Sequence, residues 1–226
     1  MRFIYRRILG KVGVGLLCIV LLSLACNPLG ILTSSTAEEY NDRGVDYWEQ
    51  GQLELAIEQF DQAIAIDPQY ADAYYNRGNA YADKGDYEQA IGDYGRAISL
   101  ASQYVLAYNN RGFAYNNTGD FDRAIADYDQ VIALDAQYAD AYYNRGNAFA
   151  NKGDLDRAIA DYDQAIELDA RDADAYNNRG NAFANKGDFD RAIADYDQVI
   201  ALDPQRTLAY GNRGLAWIQL PSATDY

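Results

Sequence analysis

Asparagine recurs at 76, 110, 144, 178 and 212, always one residue before an arginine, at 77, 111, 145, 179 and 213. Each interval is 34 residues, and Asp42-Arg43 fills the same two places one interval earlier. A side-chain amide offers one acceptor and two donors, so it can satisfy a peptide group whatever side chain that peptide carries. An aligned row of amides is therefore chemistry for holding an extended chain; the competing use of the same row is to bond neighbouring elements together. The arginines need acceptors wherever they are packed, because a guanidinium cannot be buried alone. Asp93, Asp127, Asp161 and Asp195 repeat with the same period and are the candidate acceptors. An internal ion-pair ladder and arginines reaching toward a ligand both fit this pattern.

Other chemistry is missing. The chain has no histidine, so the commonest general base and metal ligand is absent. Its two cysteines, Cys18 and Cys26, stand in the first thirty residues. No nucleophile–base pair or glycine-rich phosphate loop can be assembled. The acidic run LDARDAD at 168–174 lacks the order of a calcium loop and reads as a solvated corner. We expect no enzyme, no metal and no cofactor. The net charge of −15 excludes nucleic acid, whose phosphates need clustered Lys and Arg. With 226 residues, 49 % of them hydrophobic, the chain can bury a core, and 21 Tyr against 7 Phe make that core unusually phenolic.

The elements that position these residues follow from the period. Gly44, Gly78, Gly112, Gly146, Gly180 and Gly214 form one 34-residue column, with further columns at Gly51, Gly85, Gly119, Gly153 and Gly187 and at Ala56, Ala90, Ala124, Ala158 and Ala192. Apolar residues in RAIADYDQVIALD recur three and four apart, the helical period. In Gly119-Asp120, Gly153-Asp154 and Gly187-Asp188, Gly permits a left-handed helix end and Asp caps the next helix. Each unit is thus two helices, with small columns at their closest approach and aromatic columns filling space. Such units bury their apolar faces only by stacking.

This pattern resembles the tetratricopeptide repeat family. One unit reads Tyr74-x2-Arg77-Gly78-x2-Tyr81, then Ala90-x3-Tyr94, with Pro68 and Pro204 in the terminal proline column and Ser102, Ala136 and Ala170 replacing it elsewhere. The resemblance implies an all-α, right-handed α-solenoid: five repeats over 37–206 (37–70, 71–104, 105–138, 139–172 and 173–206) and a partial sixth repeat, a terminal helix, over 207–220. It also implies that the first helix of each pair faces an inner groove. The family places Leu where this chain has its Arg column. The lysine-based clamp that some relatives use for chaperone carboxylates is absent, since Asp72, Asp140, Asp174, Tyr75 and Tyr143 occupy its places.

The Asn column is similar to the asparagine ladder in the repeat domain of O-linked N-acetylglucosamine transferases, which holds an extended peptide. The expected groove site is therefore Asn76, Asn110, Asn144, Asn178 and Asn212, with Asn79, Asn147, Asn181, Tyr75 and Tyr143 around them. Phe113 and Leu106 replace Asn and Asp in the third unit and would form an apolar pocket midway. The expected partner is a protein or peptide segment, neutral to basic, and the expected function is scaffolding or assembly. The alternative is a structural protein that self-associates through its repeat ends, because Leu208, Leu215, Trp217, Ile218 and Leu220 make 207–220 more apolar than a solvating cap.

Residues 1–25 read as a targeting segment: Arg2, Arg6, Arg7 and Lys11 without an acid, then an apolar run from Val12 to Cys26 broken by Ser23. LSLAC resembles a bacterial lipobox, which implies lipidation of Cys26; Ala25 and Cys26 fit it better than Ser23 and Leu24. Ordinary cleavage at a small-x-Ala site and an uncleaved anchor are the other readings. Each predicts export, with the chain held at a membrane or released, and 26–36 reads as a linker.

Overall fold

The computed structural model describes residues 35–220; Cys26 and the targeting segment fall outside them. The described residues form eleven helices and no strand: α1 (Ala37–Glu49), α2 (Leu53–Ile66), α3 (Ala71–Lys84), α4 (Tyr87–Leu100), α5 (Val105–Asn117), α6 (Phe121–Leu134), α7 (Ala139–Asn151), α8 (Leu155–Leu168), α9 (Ala173–Asn185), α10 (Phe189–Leu202) and α11 (Thr207–Gln219). The links are too short to cross the stack, so successive helices pack as antiparallel hairpins. The architecture is an all-α solenoid, as the period predicts.

The helix ends explain the tight links. In the turn after α5, Gly119 takes φ +82, a region closed to most side chains. Its N–H donates to the Asn116 carbonyl at 3.2 Å, and the Asp120 N–H donates to the Tyr115 carbonyl at 2.8 Å. This pair of bonds is the Schellman closure of a helix. Asp120 then caps α6, its Oδ1 accepting the Arg123 N–H at 3.1 Å. At the far end of the hairpins, the corner with Ala136 keeps its shape without proline. Asp135 Oδ1 accepts the Gln137 N–H at 3.0 Å, as Asp67 accepts from Gln69 at 2.9 Å beside Pro68. The carboxylate fixes the corner and makes the proline dispensable.

Packing turns the small columns into ring seats. Phe60, Tyr94, Tyr128, Tyr162 and Tyr196 of the even helices are almost wholly buried. A Cβ on Gly44, Gly78, Gly112, Gly146 or Gly180 would lie 2.4, 2.7, 2.8, 2.8 or 2.9 Å from the nearest carbon of those rings. The glycine thus makes room for a ring from the paired helix. Full burial of such a large apolar group stabilises by about 1.5–3 kcal/mol. Ala56, Ala90, Ala124, Ala158 and Ala192 are fully buried in the same layer.

Each helix packs on its sequence neighbours, and each odd helix also comes close to the next odd helix, whereas the backbones of successive even helices stay farther apart. The odd helices are therefore closer together. They form the inner, concave side, and the even helices fan out behind them.

Candidate peptide groove

Two ladders run along the odd helices. The first is ionic. Arg77 Nε and Nη2 donate to both oxygens of Asp93 at 2.7 and 2.6 Å, and the same fork joins Arg111 to Asp127, Arg145 to Asp161 and Arg179 to Asp195. Those four aspartates are buried. Arg77, Arg145, Arg179 and Arg213 also reach back across the hairpin boundary to Asp61, Asp129, Asp163 and Asp197 at 2.5–2.6 Å. Arg111 meets Gly95 there instead of an aspartate. The hydrogen bonds and charge of Asp161 push the Arg145 guanidinium further up from its ordinary value, as Asp195 does for Arg179. Of the two uses open to the arginines, the structure shows the internal ladder. Arg43 differs because Gln59 stands where its aspartate would be, and it lies over the Tyr40 ring, 4.2 Å from the centroid.

The second ladder is amide. Asn76 Nδ2 donates to Asn41 Oδ1 at 2.9 Å, and Asn144 Nδ2 to Asn109 Oδ1 at 3.3 Å. Asn110 Nδ2 donates to Tyr75 Oη at 3.2 Å and Asn79 Oδ1 at 2.9 Å; Asn178 does the same to Tyr143 and Asn147, and Asn212 reaches Asn181 at 3.3 Å. From beneath, Tyr94, Tyr162 and Tyr196 donate their hydroxyls to Asn79, Asn147 and Asn181 at 2.8, 2.8 and 2.9 Å. Burial raises these phenols, Tyr196 to about 12. The row thus ties adjacent odd helices together. Its amide donors go to neighbouring Asn and Tyr oxygens, and the oxygens of Asn110 and Asn178 accept from Asn109 and Asn177, respectively, at 3.2 Å; of the outer column, Asn79 is buried and Asn147 and Asn181 are half-buried.

The third unit breaks this row. Phe113 has no oxygen to offer the hydroxyl of Tyr128, and Asn144 turns to Asn109 instead. Phe113 is 46 % exposed and sits edge-on to Tyr87 at 6.4 Å, with Leu106 half-buried at the head of the same helix. Nearby, Tyr75 packs against Tyr104 at 5.0 Å, and Tyr104 donates its hydroxyl to Asp72 at 2.7 Å. Arg206 similarly pairs with Asp174. Asp140, between them in the column, faces Asp172 where its neighbours find a donor. Burial and the charges of Asp172 and Asp169 hold its carboxyl above the usual range. These rim groups, which lie one column before the repeat motif, carry no signal until the helices are stacked. No cluster of possible metal ligands exists among the described residues.

Paired helices stacked through ring seats, with an amide-lined inner face interrupted at Phe113, define a helical-repeat solenoid. The description "TPR repeat" fits residues 44–85, 78–119, 114–153 and 146–187, and "Tetratricopeptide repeat" fits 173–206. The chain belongs to the tetratricopeptide repeat family, whose members are as a rule protein-interaction scaffolds. No curated protein matches the chain. Among solved structures it is similar to YrrB, described as a TPR protein with an unusual peptide-binding site. The two share 25 % identity and a TM-score of 0.68, over 79 % of this chain and 92 % of that one. It is also similar to MamA, with 26 % identity and a TM-score of 0.68 over 73 % and 96 %. A tetratricopeptide repeat protein from Parabacteroides merdae ATCC 43184 shares the fold at 20 % identity, TM-score 0.72, over 81 % and 73 %.

Proposed function

We propose that this protein is an exported scaffold that holds a neutral-to-basic protein segment, extended, along the inner face of α1, α3, α5, α7, α9 and α11. The observation that carries the reading is the interruption of the amide ladder at Phe113. A row that served only to join helices would have no use for an exposed ring in its middle. Phe113 and Leu106 on α5 seat one large apolar side chain. One odd helix further, Asp140 faces Asp172, whose carboxylate caps α9, and the two acids together favour a cation. Packed helices lie about 8–10 Å apart, and an extended chain advances about 3.3 Å per residue. The favoured segment therefore carries a large apolar residue and a Lys or Arg about three positions apart. The oxygens of Asn76, Asn110, Asn144, Asn178 and Asn212 accept its backbone N–H groups. The peptide-binding site named for YrrB, at 25 % identity over most of both chains, supports the same class of ligand.

Peptide display selection against the full chain tests this. Apolar-x-x-basic sequences should be enriched, and Phe113→Ala should weaken their binding by about 2 kcal/mol. A single Asn→Ala change should cost only about 0.5–1.5 kcal/mol. Enrichment of acidic sequences, or binding unchanged by Phe113→Ala and by the pair Asn110→Ala/Asn144→Ala, would refute the groove. Anchoring through a lipid on Cys26 belongs to the same proposal. An intact mass showing a mature chain that starts elsewhere removes it.

A further inference from the structure

Two side-chain devices recur where one hairpin meets the next. One is a tie across the back of the stack: Arg77, Arg145, Arg179 and Arg213 reach Asp61, Asp129, Asp163 and Asp197 of the preceding even helix at 2.5–2.6 Å. The other is a clasp in the corner: Asp67, Asp135, Asp169 and Asp203 accept the backbone N–H two residues on at 2.9–3.1 Å. Both lose their aspartate at the boundary between α4 and α5. Gly95 stands in the column of the first set and Ala101 in the column of the second. Ser102 follows, so no proline stiffens that corner in place of the carboxylate.

Helix α4 is weakened as well. It carries Gly92 and Gly95 in its interior, where α6, α8 and α10 have Ala and Asp. Neither glycine is a ring seat. Among the described residues no neighbouring side chain lies within 4 Å of a Cβ on Gly92, and the nearest to one on Gly95 is Arg111 Nη1 at 3.5 Å. Helix interiors disfavour glycine, whose backbone loses the most freedom on folding, so close packing does not account for the pair.

The inner side of the same boundary is held. Asn110 donates to both Tyr75 and Asn79, Tyr104 donates to Asp72, and the Tyr75 and Tyr104 rings pack 5.0 Å apart. The boundary between α8 and α9 is a built-in control. Asn178 makes the same two bonds there, to Tyr143 and Asn147, but Arg179 keeps Asp163 and the corner keeps Asp169.

We infer that the α4–α5 boundary is a hinge, pinned along the α3–α5 contact and open at the back, about which the first two hairpins swing against the others. A hinge confines the change to a few residues while the bodies on either side stay packed, and here each body consists of hairpins locked by their ring seats. Tyr87 and Phe113 stand on opposite sides of the boundary and meet edge-on at 6.4 Å, so the swing changes the space between them. The hinge stands without the groove reading; only its use in gripping an apolar side chain beside Phe113 rests on that reading.

Spin labels at equivalent exposed positions of the even helices read the swing. Ser99→Cys with Ala133→Cys spans the hinge, and Glu167→Cys with Ala201→Cys spans the control boundary. Each pair is placed in the full chain, in mild detergent, with Cys18→Ser and Cys26→Ser, and its distance distribution is recorded by pulsed dipolar spectroscopy without ligand. The pair across the hinge should give a distribution at least about twofold broader than the control pair. Gly95→Asp with Ala101→Asp supplies both missing carboxylates and should narrow it to the control width; the space at Gly95 admits the side chain. Asp163→Gly with Asp169→Ala removes both from the control boundary and should broaden the control pair in turn. Equal widths for the two pairs overturn the inference. So does a hinge pair that the added aspartates leave unchanged, or a control pair that their loss does not broaden. None of these results bears on the peptide site, whose test needs a ligand.

Discussion

At the scale of single residues, the arginine ladder sets the largest local stakes. The guanidinium groups of Arg77, Arg111, Arg145 and Arg179 are mostly out of water and each is committed to a buried aspartate by two bonds. Removing a partner from a buried pair typically costs about 3–5 kcal/mol. Arg145 keeps Asp129, which softens the loss. Asp161→Asn should thus destabilise by about 2–3 kcal/mol in urea unfolding, whereas the double change Arg145→Leu/Asp161→Leu should be nearly neutral, as apolar replacement of buried pairs often is. A large loss in the double variant would show that the ladder contributes more than it costs to desolvate. The period alone located this pairing, because the Asp column lies sixteen residues from the Arg column in every unit. The second carboxylates, Asp61, Asp129, Asp163 and Asp197, were not legible in the same way. They come from the preceding hairpin, on a surface face where an acidic residue needs no explanation.

At the scale of helices, one residue type plays opposite parts. Gly146 sits under the Tyr162 ring, and a methyl there would overpack by about 1–3 kcal/mol, more than the roughly 1 kcal/mol that Ala gains over Gly in a helix. Among the described residues nothing stands within 4 Å of a Cβ on Gly214, so Gly214→Ala should gain up to about 1 kcal/mol. Thermal melts of the two variants should shift in opposite directions; parallel shifts would mean that the ring seat is not what the column is for. Helix existence, order and pairing were readable because Gly119-Asp120 and its repeats write a stop and a start at fixed offsets. The groove was less readable. That Asn76, Asn110, Asn144, Asn178 and Asn212 share a face follows from the period, but whether their amides look outward or toward each other depends on how closely α1, α3, α5, α7, α9 and α11 approach. The contrast between Tyr75 or Tyr143 and Asn109 in the column beside them decides which partner each amide finds.

At the scale of the molecule, the chain's net charge of −15 includes Arg2, Arg6, Arg7 and Lys11, which lie outside the stack, so the stack itself is more acidic still. Burial and neighbouring carboxylates hold Asp140 and Asp172 above the ordinary 3.8, so their ionised forms oppose folding at neutral pH. This opposition disappears as pH falls through their raised folded values toward 3.8. Asp120, Asp154 and Asp188 behave oppositely: bonds from Arg123, Arg157 and Arg191 hold them low, and the stability they give is lost as pH falls below 3.8 through their folded values. Stability in low salt should therefore rise from pH 7 to a maximum at about pH 4–5 and then fall. A melting temperature that declines steadily from pH 7 downward would contradict this assignment.

The unequal contacts of the two helix sets make the stack an anisotropic spring. Amide bonds stitch its inner rim, while the wider-spaced even helices are linked only indirectly, through Arg77, Arg145 and Arg179, and the link between α4 and α6 is missing its second aspartate where Gly95 stands. Curvature is then cheap to change by spreading or closing the outer helices about a stitched inner line that keeps nearly constant length. A segment lying on that line would feel a template of fixed pitch even while the whole coil flexes, so the register of what it holds is insulated from the shape of the body that carries it.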